Sequence, residues 1–255
     1  MIDKQPHQMS PQERFSNRAE DYAKYRPSYP SQAIDCILEE LGESNRLIAA
    51  DIGAGTGIAS RLLADRGVEI IAIEPNAAMR EAAEPHSLVQ FKDGNAENTK
   101  LEDDSVDLIT CFQAFHWFNP EPTLKEFARI LKPKGRLAAV WNNRDRQDKF
   151  TSEYDRLMKI SSKAKSKPSR TDRIESLRNT PLFSSVCHLV FSDRYALNRD
   201  GLIGRAMSAS YVPKAGKVNE KITRKLNKLY DRYCDDNGLV YFKYKTDVYL
   251  TAKGC

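Results

Sequence analysis

The sequence lacks the features that define several classes of protein. It has no apolar run long enough to cross a bilayer, and its first ten residues are polar where a secretion signal would be apolar. The five cysteines form no C-x-x-C pair, which predicts reduced thiols in a cytoplasmic protein with neither a disulfide frame nor a zinc site. The excess of 40 Lys and Arg over 35 Asp and Glu is mild and by itself indicates no nucleic-acid partner.

Two phosphate-binding motifs are also missing from the glycine-rich segment of the chain. The dinucleotide fingerprint G-x-G-x-x-G needs a third glycine where this sequence has Ile58 or Ser60, depending on whether the count starts at Gly53 or Gly55. A P-loop needs a lysine directly after its last glycine, but Gly57 is followed by Ile58. The segment therefore lacks the residues that a G-x-G-x-x-G dinucleotide site or an ATP-hydrolysing P-loop would need.

The chain does contain an alternation of short apolar strands and amphipathic helices, which is typical of a doubly wound sheet with helices on both faces. Strands are predicted over 47–52, 68–73, 88–91, 106–112, 137–141, 185–194 and 239–250. Helices are predicted over 31–41, 76–83, 121–131, 199–208 and 217–235, with a further helix directly after the glycines and a basic helix and surface loop within 142–181. We therefore expect an α/β fold with a seven-stranded, mostly parallel sheet and an antiparallel edge strand.

Two carboxylates flank the glycine loop and indicate what it binds. Glu74 ends the second strand, where its oxygens can accept both hydroxyls of a ribose. Asp51 ends the first strand beside Gly53, Gly55 and Gly57, where it suits an ammonium group and would repel a phosphate. An adenosine joined to an amino acid meets both demands, and S-adenosylmethionine is such a molecule.

Several motifs in this order resemble the class I S-adenosylmethionine-dependent methyltransferases, in particular the methyltransferase type 11 and trans-aconitate methyltransferase branch. The resemblance extends over nearly the whole chain. It rests on the segments at 15–16 with Tyr22, 25–30, 51–57, 74–76 with Met79, 94–97, 113–118 and 131–136. It implies one domain over 1–255, with an N-terminal helical cap (1–45), a cofactor-binding core (46–142) and a C-terminal extension (143–255) that carries cap helices and the last two strands.

The resemblance also implies a set of cofactor contacts. Glycine-loop backbone would face the methionine portion, Asp51 its ammonium group and Glu74 the ribose. Tyr22 and Arg26 would close the cap, with Arg26 a partner for the methionine carboxylate, and Asn95 would accept from the adenine amine where relatives commonly have Asp. The whole set is Tyr22, Arg26, Asp51, Gly53, Ala54, Gly55, Thr56, Gly57, Glu74, Pro75, Met79, Asn95, Ala96, Glu97, Phe112 and Gln113.

The acceptor side of the site leaves alternatives open. His116 follows the fourth strand and is either a general base or a hydrogen-bonded wall of the acceptor pocket, and Trp117 either lines that pocket or belongs to the core. Ser208 and Tyr211 either cover the active site or end a helix. No metal ligands are expected, since the other histidines lack partner spacing.

Three functions remain compatible with the sequence. The first is methyl transfer to a small-molecule acceptor, at a carboxylate or hydroxyl oxygen, by a monomer or homodimer without membrane attachment. The second is an RNA-directed methyltransferase that uses the basic residues of 163–170 with Lys221, Arg224, Lys225 and Lys228, although the [DN]-P-P-[YFW] motif of nucleobase enzymes is absent after the fourth strand. The third is a cofactor-binding scaffold without turnover.

Overall fold

The computed structural model describes residues 27–160, 170–209, 212–213 and 215–254. Its strands are β1 (Ile48–Ile52), β2 (Glu69–Ile73), β3 (Val89–Lys92), β4 (Val106–Phe112), β5 (Leu131–Arg144), β6 (Cys187–Leu197) and β7 (Val240–Ala252). Its helices are α1 (Ser31–Leu38), α2 (Ile58–Ala64), α3 (Ala77–Glu81), α4 (Pro120–Ile130), α5 (Lys149–Ile160), α6 (Arg170–Arg178), α7 (Arg199–Met207) and α8 (Lys217–Tyr233). In the part of the chain that the structure describes, every helix is too short or too polar to span a bilayer.

The strands form one seven-stranded sheet in the order β3-β2-β1-β4-β5-β7-β6. The pairs among β1 to β5 are parallel, whereas β7 is antiparallel to both β5 and β6. The predicted doubly wound, mostly parallel sheet with antiparallel pairing at one edge is therefore confirmed. The antiparallel strand β7 lies between β5 and β6, so β6 and not β7 is the edge strand. Accordingly, alternate residues of β7 are buried, whereas β6 is largely exposed.

The core is divided among the two faces of the sheet and the C-terminal helices. On one face α1 and α2 bury apolar side chains such as Ile37 and Leu63. On the opposite face α4 and α6 do the same with Phe127 and Leu177. A third apolar cluster, around Phe242, joins α5, α7 and α8 to the C-terminal end of β6 and the N-terminal end of β7. Since β1, β2 and β4 run parallel, their carboxyl ends meet at one edge of the sheet, where ligands bind in open α/β folds.

Candidate active site

The glycine loop leaves β1 and turns back sharply before α2. Gly53 N and Ala54 N both donate to the Ile73 carbonyl of β2, at 2.8 and 3.2 Å. Gly53, Gly55 and Gly57 have φ of +73°, +60° and +73°, the left-handed region that glycine adopts without a steric penalty. The loop is therefore tied to the end of β2 by its own backbone.

The loop glycines differ in what surrounds them. A Cβ on Gly53 would lie 2.7 Å from the Ala114 Cβ, and one on Gly57 would lie 2.8 Å from Phe91 Cζ, so both positions are closed by packing. A Cβ on Gly55 would meet only Met79 Cε, at 3.4 Å. Gly55 is thus where the loop backbone has room beside it.

Glu74 holds the loop at that point. Its Oε2 accepts a hydrogen bond from Gly55 N at 2.9 Å, and its Oε1 accepts one from Asn76 N at 2.9 Å. The residue is only 8% exposed, and burial raises the pKa of its carboxyl above the ordinary value. Each carboxylate oxygen retains a further lone pair, which leaves Glu74 able to accept two hydroxyl groups from a ligand lying against Gly55.

Asp51 lies beneath the loop and is fully buried. Its Oδ2 accepts from Ser60 Oγ at 2.6 Å and its Oδ1 accepts from Thr110 Oγ1 at 2.9 Å, which connects β1 to α2 and β4. Burial raises the pKa of Asp51 to about 6, although the two hydroxyl hydrogen bonds lower it. The predicted ammonium partner therefore already has a structural role in this arrangement.

The titration of Asp51 predicts a pH dependence of stability. An unfolded Asp has a pKa of about 3.9, which is lower than the value of about 6 for Asp51 in the folded protein. At pH values between these two, the folded protein therefore binds the proton more tightly than the unfolded chain does. We expect this group to add roughly 1 kcal/mol of stability when the pH falls from 7 to 5. Urea unfolding of wild type and Asp51→Asn at both pH values measures it. An identical pH dependence in the two proteins would contradict the assignment.

Three other predicted cofactor positions surround the loop. Met79 is buried at the start of α3, which Asn76 caps by accepting from Met79 N, and Pro75 is half-buried just before that cap. Thr56 is buried, and its Oγ1 has no hydrogen-bond partner. An orphaned buried hydroxyl beside Gly55 is unfavourable unless a ligand satisfies it.

The segment predicted to face adenine forms a turn held by its own hydrogen bonds. Asn95 is exposed, and its Oδ1 accepts from Glu97 N at 3.1 Å and Asn98 N at 2.8 Å. Ala96 is buried in the core, and Glu97 Oε1 accepts from Asn119 N at 2.8 Å. The amide oxygen proposed to accept from the adenine amine is thus already used within its own turn.

The residues after β4 lie directly beside the glycine loop, as the short distance from Gly53 to Ala114 shows. Phe112 is buried and packs edge-on against Tyr29, with ring centroids 4.7 Å apart. Gln113 adopts a left-handed conformation with φ of +56°, and its Nε2 donates to the Asn142 carbonyl of β5 at 2.9 Å. A strained backbone held by hydrogen bonds to a neighbouring strand is common at functional sites.

His116 lies in the 3-10 turn Phe115–Trp117 and is 9% exposed. Its Nδ1 accepts the indole N–H of Trp141 at 3.2 Å, and its ring is 5.0 Å from that of the half-buried Trp117. An accepting Nδ1 places the proton of the neutral imidazole on Nε2, so the ring is a donor there. The hydrogen bond from Trp141 fixes the orientation of the imidazole ring.

Part of the chain matches a known protein family. Residues 50–139, which contain the glycine loop, Glu74 and the turn of His116, match the family model described as a methyltransferase domain. This part of the chain is therefore similar to a methyltransferase domain. The fold is similar to that of a solved structure over more of the chain. A solved structure from Anaeromyxobacter dehalogenans, named as a candidate type II methyltransferase, aligns with a TM-score of 0.62 at 23% identity over 90% of this chain and 98% of that one.

Curated relatives match about half of this chain. The uncharacterized methyltransferase Rv3342 of Mycobacterium tuberculosis is 40% identical over 134 residues, which is 51% of this chain and 53% of the relative. The uncharacterized methyltransferase C25B8.09 of Schizosaccharomyces pombe is 36% identical over 146 residues, 56% of this chain and 58% of the relative. The chain thus matches about half the length of these relatives.

The remaining predicted positions are Tyr22, Arg26, Ser208 and Tyr211. Tyr22, Arg26 and Tyr211 lie outside the described residues. Ser208 Oγ donates to the Arg205 carbonyl at 2.9 Å, the hydrogen bond of an ordinary helix end. In the described ranges, no three His, Cys, Asp or Glu side chains are placed to hold a metal ion.

Sequence reasoning missed three residues that the structure brings to this edge. Ser60 and Thr110 bind Asp51, and a polar residue within an otherwise apolar helix face or strand was a signal for such a partner. Arg170 was considered only as part of a basic surface stretch, but its guanidinium bonds to the side chain of Gln113.

Proposed function

We propose that the protein is an S-adenosylmethionine-dependent methyltransferase that acts on a small-molecule acceptor, at a carboxylate or hydroxyl oxygen, and releases S-adenosylhomocysteine. The observation that carries the proposal is the hydrogen bond from Gly55 N to Glu74. It places a buried carboxylate against the open position of a glycine loop, where a ribose diol finds two acceptors. The match of residues 50–139 to a methyltransferase domain supports the same conclusion.

The residues present fit this cofactor. Glu74 would hold the ribose, the orphaned Thr56 hydroxyl offers an unused polar contact beside the loop, and Met79 supplies an apolar surface next to Gly55. The carboxylate of Asp51 is buried beneath the loop, and its negative charge favours a ligand that carries an ammonium group over one that carries phosphates. When bound, the cofactor would supply a methyl group on a sulfonium: an acceptor lone pair would form a bond to the methyl carbon in line as the carbon–sulfur bond breaks, with S-adenosylhomocysteine as the leaving group.

The chain's own contribution to that step is alignment and exclusion of water. Phe112 and Gln113, fixed against Tyr29 and Asn142, form a rigid border beside the loop. A carboxylate acceptor arrives ionised and requires no general base. The wall formed by His116 and Trp141 then needs only to shape the pocket, with Nε2–H of His116 as a donor.

This assignment predicts the behaviour of His116→Ala. We expect its affinity for S-adenosylhomocysteine to stay within about twofold of wild type, and its methyl transfer to fall less than tenfold, since general bases contribute about 10²–10⁴-fold. Titration calorimetry and label transfer measure the two quantities. A loss of transfer above a hundredfold with unchanged affinity would instead make His116 a base.

The proposed function is tested by transfer of tritiated methyl from S-adenosylmethionine into a cell extract, with products resolved by mass spectrometry. We expect label in molecules of metabolite size, equal in amount to the S-adenosylhomocysteine formed, and unchanged by prior ribonuclease treatment of the extract. Label that is lost after ribonuclease would support the RNA-directed alternative. Binding of S-adenosylmethionine without transfer into any extract would support the scaffold.

A further inference from the structure

A cavity of about 150 Å³ opens between the C-terminal end of β5, the middle of β7 and the length of α6. Trp141 and Asn143 line it from β5, Asp247 and Tyr249 from β7, and α6 contributes Arg170, Thr171, Ile174, Glu175 and Arg178. Trp141 is the residue that bonds to His116, so this cavity adjoins the wall of the proposed pocket. It is large enough for a small organic acid or amide.

Arg170 enters this cavity without a carboxylate partner. One guanidinium nitrogen donates to Asn143 Oδ1 and another lies 3.4 Å from Gln113 Oε1. It forms no ion pair with any carboxylate of the described residues. Both partners are neutral amides, so most of the five N–H donors of the side chain are left for another group.

The nearest carboxylate is held apart from Arg170 by other bonds. Asp247 Oδ2 accepts from Asn143 Nδ2 at 2.5 Å, and its Oδ1 is 2.8 Å from His188 Nε2. The Asn143 amide therefore bonds to the guanidinium through its oxygen and to the carboxylate through its nitrogen. This arrangement orients Arg170 without neutralising it directly.

Arg173, on the same helix, has an unpartnered guanidinium nitrogen. The residue is 9% exposed, and its Nε has no hydrogen-bond partner. Burial lowers the pKa of both Arg170 and Arg173, and the nearby Asp247 and Asp172, respectively, only partly offset that effect. Arg178 on the same helix pairs with Glu175 at 3.1 Å. A half-buried guanidinium such as that of Arg170 gains charge-assisted hydrogen bonds when a ligand supplies an anion.

We propose that Arg170 is a specificity-determining residue that binds a carboxylate group of the methyl acceptor, an inference that rests on the proposed function. Gln113 connects the cavity to the proposed reaction site, since its backbone borders the glycine loop and its side chain contacts Arg170. The planar guanidinium matches a carboxylate with two parallel hydrogen bonds. Arg178 lines the cavity as the partner of Glu175, and the carboxylates of Glu175 and Asp247 favour a singly charged carboxylate over a phosphate.

Equilibrium dialysis with radiolabelled succinate tests the proposal, with succinamide as the uncharged competitor. We expect saturable succinate binding to wild type that succinamide does not displace. Arg170→Gln should weaken it about tenfold or more, the usual size of a charged hydrogen bond, and Arg170→Lys should weaken it less. The matched control Arg232→Gln, whose arginine pairs with Glu153 at 2.9 Å and does not line the cavity, should change it by less than about twofold.

Two outcomes overturn the proposal: absence of saturable succinate binding to wild type, or equal binding by wild type and Arg170→Gln. Thermal unfolding of each variant shows that it is folded, and Arg170→Lys supplies a second variant if Arg170→Gln is not. A parallel titration with S-adenosylhomocysteine keeps the two claims separate. Failure of that titration in wild type rejects the proposed cofactor, whereas loss of succinate binding alone rejects only the carboxylate site.

Discussion

Gly55→Val is expected to abolish binding of S-adenosylmethionine and S-adenosylhomocysteine, with a loss of roughly a hundredfold or more, about 2.7 kcal/mol. The protein itself has room for the new Cβ, which would meet only Met79 Cε at 3.4 Å. The isopropyl group would therefore occupy the space in which the cofactor's amino-acid portion is proposed to lie. Titration calorimetry with S-adenosylhomocysteine measures the loss.

The matched control for this variant is Gly238→Val. Gly238 has φ of +67° against +60° for Gly55, and its Cβ would likewise meet one neighbour at 3.4 Å, the Tyr230 hydroxyl. Both variants should lose about 1–2 kcal/mol of stability through the left-handed backbone. Only Gly55→Val should lose the ligand. If it binds as well as Gly238→Val does, the loop is not the cofactor site.

Glu74→Ala has the second large expected effect. It removes the two acceptors proposed for the ribose and leaves Gly55 N and Asn76 N without their present partner. Hydrogen bonds to a charged group contribute about 1.5–3 kcal/mol each, so affinity for S-adenosylhomocysteine should fall at least a hundredfold. The same titration, carried out on protein shown to be folded, measures it.

Asp235→Ala is the control for Glu74→Ala, because it also removes a carboxylate that holds a loop but has no proposed contact with the ribose. Asp235 also accepts from two main-chain amides, Asn237 N at 3.0 Å and Leu239 N at 2.9 Å, in the turn before β7. Its replacement should destabilise that turn and leave the affinity for S-adenosylhomocysteine unchanged. Unchanged affinity in Glu74→Ala would show that its carboxylate holds the loop without touching the ribose.

Local sequence signals were sufficient for the parts of the site that depend on neighbouring residues. The strand, glycine loop and helix at 47–63 could be predicted because left-handed turns need glycine and apolar spacing marks the helix. Glu74 could be placed because it directly follows the second strand. The parallel sheet followed from the alternation of strands and helices.

Contacts between distant segments could not be predicted in the same way. β5 was expected over 137–141 but extends over Leu131–Arg144, because Leu131 pairs with Val106 of β4 and residues 136–144 pair with β7, which follows 100 to 116 residues later. The bond between Arg170 and Gln113 likewise joins segments 57 residues apart. A basic stretch gives no sign of which one of its side chains turns inward, since that depends on the packing of α6 against the sheet.

The central claim is that the loop closed by Glu74 binds an adenosine carrying an amino acid. Calorimetric titration of the wild-type protein with S-adenosylhomocysteine, with NAD and ATP as parallel ligands, tests it most directly. The claim predicts saturable binding of one S-adenosylhomocysteine per chain and no heat of binding for NAD or ATP. Binding of either nucleotide in its place, or no binding of S-adenosylhomocysteine to the folded protein, would contradict it.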